Sequence, residues 1–209
     1  MAIDYFRLPF HVYAIDRQQV NTSGTDNAAA LIEAARDIFL QDGIAGLSVR
    51  RVAERASCTT MAVYSHFGGK GGIVATLFDE GFEQLAQAQQ AVDARMPPRQ
   101  RVVALCLAYL GTARRYPHHY ALMLGHFSGE HTPSLESSAK ALSTLEHLIS
   151  AVGSVSREAT PAQAVGVAHA LFALCHGWVS LERTGIFGSA QKAERAFKRA
   201  VDSLVRSLG

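Results

Sequence analysis

Net charge is nearly absent from this chain. Twenty Lys and Arg oppose eighteen Asp and Glu, a formal balance of +2 over 209 residues. Bulk electrostatic attraction to nucleic acid needs far more, so basic character has to be local to matter. Cysteine is scarce. Cys58, Cys106 and Cys175 are odd in number and widely spaced, which argues against a disulfide framework and fits a reducing cytoplasm. No CxxC or CxxH pair offers zinc ligands. There is no nucleophile elbow, paired-carboxylate arrangement or phosphate loop, so nothing here reads as an enzyme. The opening stretch, MAIDYFRLPFHVYAIDR, is broken by charges and Pro9 and has no long apolar run. It reads as neither a signal peptide nor a spanning helix, and no membrane partner is expected.

What remains is apolar and helical in period. Hydrophobic residues make up 48% of the chain, enough for a sizeable core. From Asp26, Leu31, Ala34, Ala35, Ile38 and Phe39 recur on one helical face, and Gly43 follows as a stop signal. Ser48 and Thr59 are N-cap residues for two short helices. A longer helix is expected from Lys70 to about Arg95, marked by Ile73, Leu77, Phe78, Leu85 and Val92. Met96-Pro97-Pro98 breaks the chain, and Pro98 suits a first helical position. Further helices are expected from Pro117, from Ser134 to about Ala151, from Thr160-Pro161 to about Glu182, and from Ser189 to the C-terminus. The reading is all-α, about nine helices, with an extension over 1–25, a three-helix domain over 26–72 and a larger helical domain over 73–209.

The stretch SVRRVAERASCTTMAVYSHFGGK, residues 48–70, holds the local charge: Arg50, Arg51, Arg55 and Lys70 against Glu54 alone. It reads as two short helices joined by a tight turn, then a lysine opening a third helix. The second short helix leaves Thr60, Met61, Tyr64 and Ser65 on one face and packs Val63 and Phe67 on the other. A helix-turn-helix lays its second helix in the major groove of DNA while the first crosses the backbone. The groove admits one helix, and small polar residues at its start let it approach the base edges.

These residues resemble the tetracycline-repressor (TetR) family of transcriptional regulators. The similarity rests on Gly43, Ser48-Val49, Val52-Ala53, Ala56, Thr59, Tyr64, His66-Phe67 and Lys70. The string Tyr-x-His-Phe-x-x-Lys stands intact. A looser resemblance to one branch's C-terminal regulatory domain rests on Pro117 to Phe127 and on Cys175-His176-Gly177-Trp178, Leu181-Glu182 and Gly185. There the family string reads much like W-x-x-x-H-G, whereas here Trp178 follows His-Gly and Phe172 precedes it. Two departures lie in the motif. Ser57 stands where glycine is usual, and a left-handed conformation there costs roughly 1–2 kcal/mol. Thr60 stands where many members carry lysine, which removes a charge contact and leaves Met61 to offer an apolar one to a thymine methyl.

The resemblance implies a homodimer on a palindromic double-stranded operator, most simply a repressor released by a small apolar or amphipathic effector. An alternative is a DNA-binding regulator without a small-molecule effector, controlled by a protein partner or acting architecturally. Carried onto this chain, the DNA contacts are Ser48, Arg50, Thr59, Thr60, Met61, Tyr64, His66 and Lys70. Ser48 serves as cap and phosphate donor, and His66 either donates to phosphate or braces Phe67. Effector candidates are Tyr109, Met123, Phe127, Phe172 and His176, each of which also suits a plain core. Dimerisation is expected through the last two helices: the final one carries a long apolar stripe, and the one before it is apolar nearly all round. His118-His119, His169 and His176 do not assemble a metal site, and no cofactor is implied.

Overall fold

The structure is a computed structural model, and it describes residues 25–124, 134–182 and 184–208. All but the last residue of the expected 1–25 extension lies outside the described residues, as does Phe127. Among the described residues there are nine α-helices and no strand. They are α1 (Thr25–Asp42), α2 (Val49–Arg55), α3 (Thr60–Phe67), α4 (Lys70–Gln90), α5 (Pro98–Arg115), α6 (Pro117–Leu124), α7 (Leu135–Gly153), α8 (Pro161–Glu182) and α9 (Ala190–Arg206). A 3-10 turn, Ile44–Gly46, joins α1 to α2.

Packing divides the chain into two compact units, Met1–Gly81 with His118–Ala139, and Phe82–Pro117 with Lys140–Gly209. In the first, α1 packs on α2 and α3. The expected α1 stripe of Leu31, Ala34, Ala35, Ile38 and Phe39 is buried, together with Val52, Ala53, Val63, Ile73 and Leu77. The unit runs past residue 72 because the first half of α4 and all but the first residue of α6 pack with the three-helix motif. His118 and His119 meet Phe39 edge-on, with ring centres 5.9 and 4.9 Å apart. His119 is 1% exposed, and its Nε2 lies 3.3 Å from Glu80 Oε2. Arg36 donates to the other Glu80 oxygen at 2.7 Å. The bond and the ion pair tie α6, α4 and α1 together. Burial opposes the charge on Glu80, but the His119 hydrogen bond and the Arg36 guanidinium outweigh it and hold the carboxyl below its ordinary range.

In the second unit α5, α8 and α9 pack on one another. Thr160 and Gln163 form a capping box at the start of α8: Gln163 N–H donates to Thr160 Oγ1 at 3.2 Å, and Thr160 N–H donates to Gln163 Oε1 at 2.8 Å. Ala164, Ala168, Leu171, Cys175 and Val179 are the buried face of α8, and Ala193, Phe197, Val201 and Val205 that of α9. Arg114 grips Glu182 through two bonds of 2.8 and 2.6 Å. Trp178 stacks on Phe187 at 4.1 Å and meets Phe197 edge-on at 5.2 Å. By length and composition alone α8 is apolar enough to cross a membrane.

One boundary differs from expectation. Helix α4 stops at Gln90 rather than near Arg95. Asp93 Oδ1 accepts from the Arg95 backbone N–H at 2.9 Å and from its guanidinium at 3.1 Å. That local turn competes with the helix for the same backbone donor.

Candidate nucleic-acid interface

Ser48 sits in extended conformation ahead of α2, and its Oγ accepts from Arg51 N–H at 3.2 Å. Accepting leaves the hydroxyl proton available to an oxygen acceptor, so capping and phosphate donation are compatible. Thr59 caps α3 in the same way, through Ala62 N–H at 3.2 Å. The two caps fix where each short helix starts.

The turn between them is a Schellman motif. Cys58 N–H reaches Ala53 O at 2.9 Å, and Ser57 N–H reaches Glu54 O at 3.2 Å. The geometry needs a left-handed residue at position 57, and Ser57 takes φ 53 there, the one described non-glycine residue with positive φ. The strain anticipated from its chemistry is therefore present in the turn.

Helix α3 buries Val63 and half-buries Phe67. Thr60, Met61, Tyr64 and Ser65 all face outward. Met61 is 74% exposed and Tyr64 55%, the most exposed large apolar side chains on the motif. His66 is exposed, and its ring stands edge-on to Phe67 at 4.6 Å, the bracing geometry. Gly68 ends α3 in left-handed conformation with its N–H on Tyr64 O at 2.8 Å. Gly69 follows at φ +116, and a Cβ there would stand 3.2 Å from Tyr64 Cε1. Gly69 thus makes room for the tyrosine ring beside the turn. Two glycines directly after an aromatic helix end are the signal in the sequence for this close approach. Lys70 is the first residue of α4, so its charge joins a helix N-terminus that already favours anions.

The arginines of α2 are engaged. Arg50 pairs with Glu54 at 2.7 Å. Arg51 holds Asp42 at 2.6 Å and the Gly46 carbonyl at 2.8 Å. Arg55 reaches Asp37 at 3.0 Å. Arg50 remains 84% exposed through its side chain, so an exposed ion pair of little stability leaves it able to exchange partners.

The expected effector residues that the structure describes fall in both units. Tyr109 and Phe172, with ring centres 5.9 Å apart, line one cavity in the second unit. Met123 is buried in the first unit, where a Cβ at Gly81 would stand 2.7 Å from its Sδ. His176 is half-buried on α8 and is not among the residues that line the cavity. The cavity leaves about 20 Å³, space for about one water, whereas drug-sized ligands occupy roughly 300–1,000 Å³. Among the described residues no three His, Cys, Asp or Glu are placed to hold a metal ion.

Comparison with known proteins bears on both halves of the chain. The family described as "Bacterial regulatory proteins, tetR family" matches residues 31–77, and "Tetracyclin repressor-like, C-terminal domain" matches residues 102–204. The HTH-type transcriptional repressor Rv3405c of Mycobacterium tuberculosis is 36% identical over 66 residues, 32% of this chain and 35% of that protein. The match therefore spans about a third of the relative's length. A protein of unknown function from Rhodococcus sp. RHA1 superposes with a TM-score of 0.71 at 24% identity, over 87% of this chain and 95% of that one. A TetR variant from Acinetobacter baumannii AYE, in complex with minocycline, superposes with a TM-score of 0.60 at 19% identity, over 86% and 94%. At these identities the two superpositions establish the all-helical fold.

Proposed function

The chain belongs to the TetR family of bacterial transcriptional regulators, and from that premise we propose that it is a homodimeric, cytoplasmic repressor released from a palindromic operator by a small apolar or amphipathic effector. The observation that carries the DNA reading is the outward face of α3. Thr60, Met61 and Tyr64 stand exposed on a short helix whose start is fixed by the Thr59 cap and whose end is fixed by Gly68. Thr59, Thr60 and Met61 read base edges, Tyr64 reaches a base or the backbone, His66 donates to a phosphate or braces Phe67, and Ser48, Arg50 and Lys70 hold phosphates. Residues 26–72 bind DNA, and 73–209 take the effector and the second copy.

Dimerisation through α8 and α9 is supported by the outer face of α8. Ala162, Gly166, Ala170, Ala173 and Leu181 are exposed there, an apolar strip that a matching helix pair from a second copy covers. A two-fold dimer presents its recognition helices about 34–36 Å apart, or a multiple of that, to a palindrome. Effector binding enlarges the 20 Å³ cavity beside Tyr109 and Phe172, and it shifts the DNA-binding equilibrium by no more than its differential affinity for the two states.

The test is selection of bound genomic fragments by the purified protein. Enrichment of one palindromic site, weakened about 10- to 100-fold by Tyr64→Ala, is the expected result. Lys70→Ala is expected to lower the salt slope of binding by about one unit. An unchanged slope removes Lys70 from the phosphate contacts, and no enrichment at low salt refutes the operator reading.

A further inference from the structure

The cavity of the second unit contains two of the three cysteines, one from α5 and one from α8. Cys106 is 1% exposed and Cys175 2%. Both line the same small space with Gln89, Thr144, Tyr109 and Phe172. None of the residues around that space carries a formal charge at neutral pH. Two sulfurs therefore face a volume of about 20 Å³, too small for an organic molecule and about right for a single heavy atom.

We propose that Cys106 and Cys175 form a two-sulfur site for one soft, divalent, two-coordinate metal ion of the mercuric class. Soft thiolate ligands select soft metals. Zinc asks for four ligands in a structural site and three plus water in a catalytic one, and the described residues supply no such cluster. Calcium and magnesium ask for oxygen cages. Charge decides among the soft ions. A bis-thiolate of a divalent ion is neutral, whereas that of a monovalent ion leaves one uncompensated negative charge in an apolar site, which is costly.

The reaction forms two metal–sulfur bonds and breaks two S–H bonds. The divalent ion and two thiols give a neutral bis-thiolate and two protons, with no change of oxidation state. Its competitor, a disulfide, needs an oxidant and an attacking thiolate. Both thiols are buried, and buried cysteines in apolar surroundings are inert to oxidation. A strongly thiophilic ion displaces the protons itself.

The experiment uses the full chain carrying Cys58→Ser, which leaves only this pair; mercuric chloride is titrated in with no other thiol present to count the protons, and retention is read after excess glutathione is then added. Expected are one ion retained per chain, two protons released per ion, loss of both thiols to a thiol reagent after denaturation, and a raised melting temperature because the bridge joins α5 to α8. Adding Cys106→Ala or Cys175→Ala is expected to lower retention at least about 100-fold, the loss of a second tethered ligand. Two ions per chain, one proton per ion, or retention unchanged in the single-thiol variants overturns the proposal. So does a melting temperature lowered by the metal, which marks a wedge rather than a bridge. The stoichiometry and proton count on the Cys58→Ser protein decide the matter even where an alanine variant fails to fold. No DNA enters the assay, so its outcome is independent of the operator reading.

Discussion

Replacing Ser57 by glycine should make the protein more stable without altering what it binds. Ser57 holds φ 53 at the left-handed position of the turn between α2 and α3, and its side chain is exposed. A side chain in that region costs roughly 1–2 kcal/mol through the clash of Cβ with the following carbonyl. Glycine avoids the clash but loses more backbone freedom on folding, about 0.5–1 kcal/mol. The difference leaves a net gain of about 0.5–1 kcal/mol. For a chain of 150–250 residues each kcal/mol moves the melting temperature by about 2–4 °C, so Ser57→Gly is expected to raise it by about 1–4 °C. Both bonds of the turn, from Cys58 N–H to Ala53 O and from Ser57 N–H to Glu54 O, are made by backbone. The separation of α2 and α3 therefore stays as it is, and operator affinity should not move. Circular dichroism at the helical band, with heating rate and protein concentration held fixed, reads the effect. Ser57→Ala is the control: it keeps the Cβ and is expected to stay within about 0.5 kcal/mol of the parent. A melting temperature that is unchanged or lower for glycine, or equally raised for alanine, refutes the strain argument.

Three further outcomes are expected. Gly81→Ala places a Cβ 2.7 Å from Met123 Sδ and should destabilise the protein by about 1–3 kcal/mol; in a thermal-melt cycle with Met123→Ala, the double variant should be less destabilised than the two single losses added together. Glu80→Gln should lower stability at neutral pH by about 1–2 kcal/mol, since it weakens charged hydrogen bonds to Arg36 and His119. Because the folded carboxyl is held below its ordinary 4.5, that contribution is present above the ordinary value and fades as pH falls through the folded one, so urea titrations of the two proteins should converge in acid; a gap that persists there contradicts the assignment. Ala170→Arg, on the exposed face of α8, should weaken self-association at least about tenfold by sedimentation while the helical signal is kept, and an intact dimer would move the interface off α8.

Much of the interface was legible because it depends on local rules. Ser48 and Thr59 cap where a cap residue precedes an apolar period, and Ser57 adopts the conformation its place in the turn demands. The inward Val63 and outward Tyr64 follow from helical geometry alone. Contacts between residues distant in sequence were not legible. Nothing in the periodicity of α4 and α6 announces that Glu80 meets both Arg36 and His119, and that network, with the histidines on Phe39, is why the first unit extends to Gly81 and takes in His118. Met123 had the right chemistry for an effector pocket; it packs in the first unit and is not among the residues that line the second unit's cavity. Chemistry alone could not separate those fates, since flexible apolar residues suit a core as well as a ligand site. The early stop of α4 was missed because Asp93 captures a backbone donor two residues on, an option that periodicity does not register.

The paired arginines of α2 have a consequence for how such a protein searches a chromosome. Arg50, Arg51 and Arg55 each face a carboxylate, on Glu54, Asp42 and Asp37. Random DNA attracts a protein through uncompensated positive charge, and that attraction sets how long the protein is held at sites where it has no role. Here each guanidinium has an internal rival for any phosphate it meets. Under the contacts proposed above, discrimination between operators then falls to Thr60, Met61 and Tyr64 rather than to charge. Under that reading, operator preference changes with those three side chains while the charge balance of α2 stays as it is.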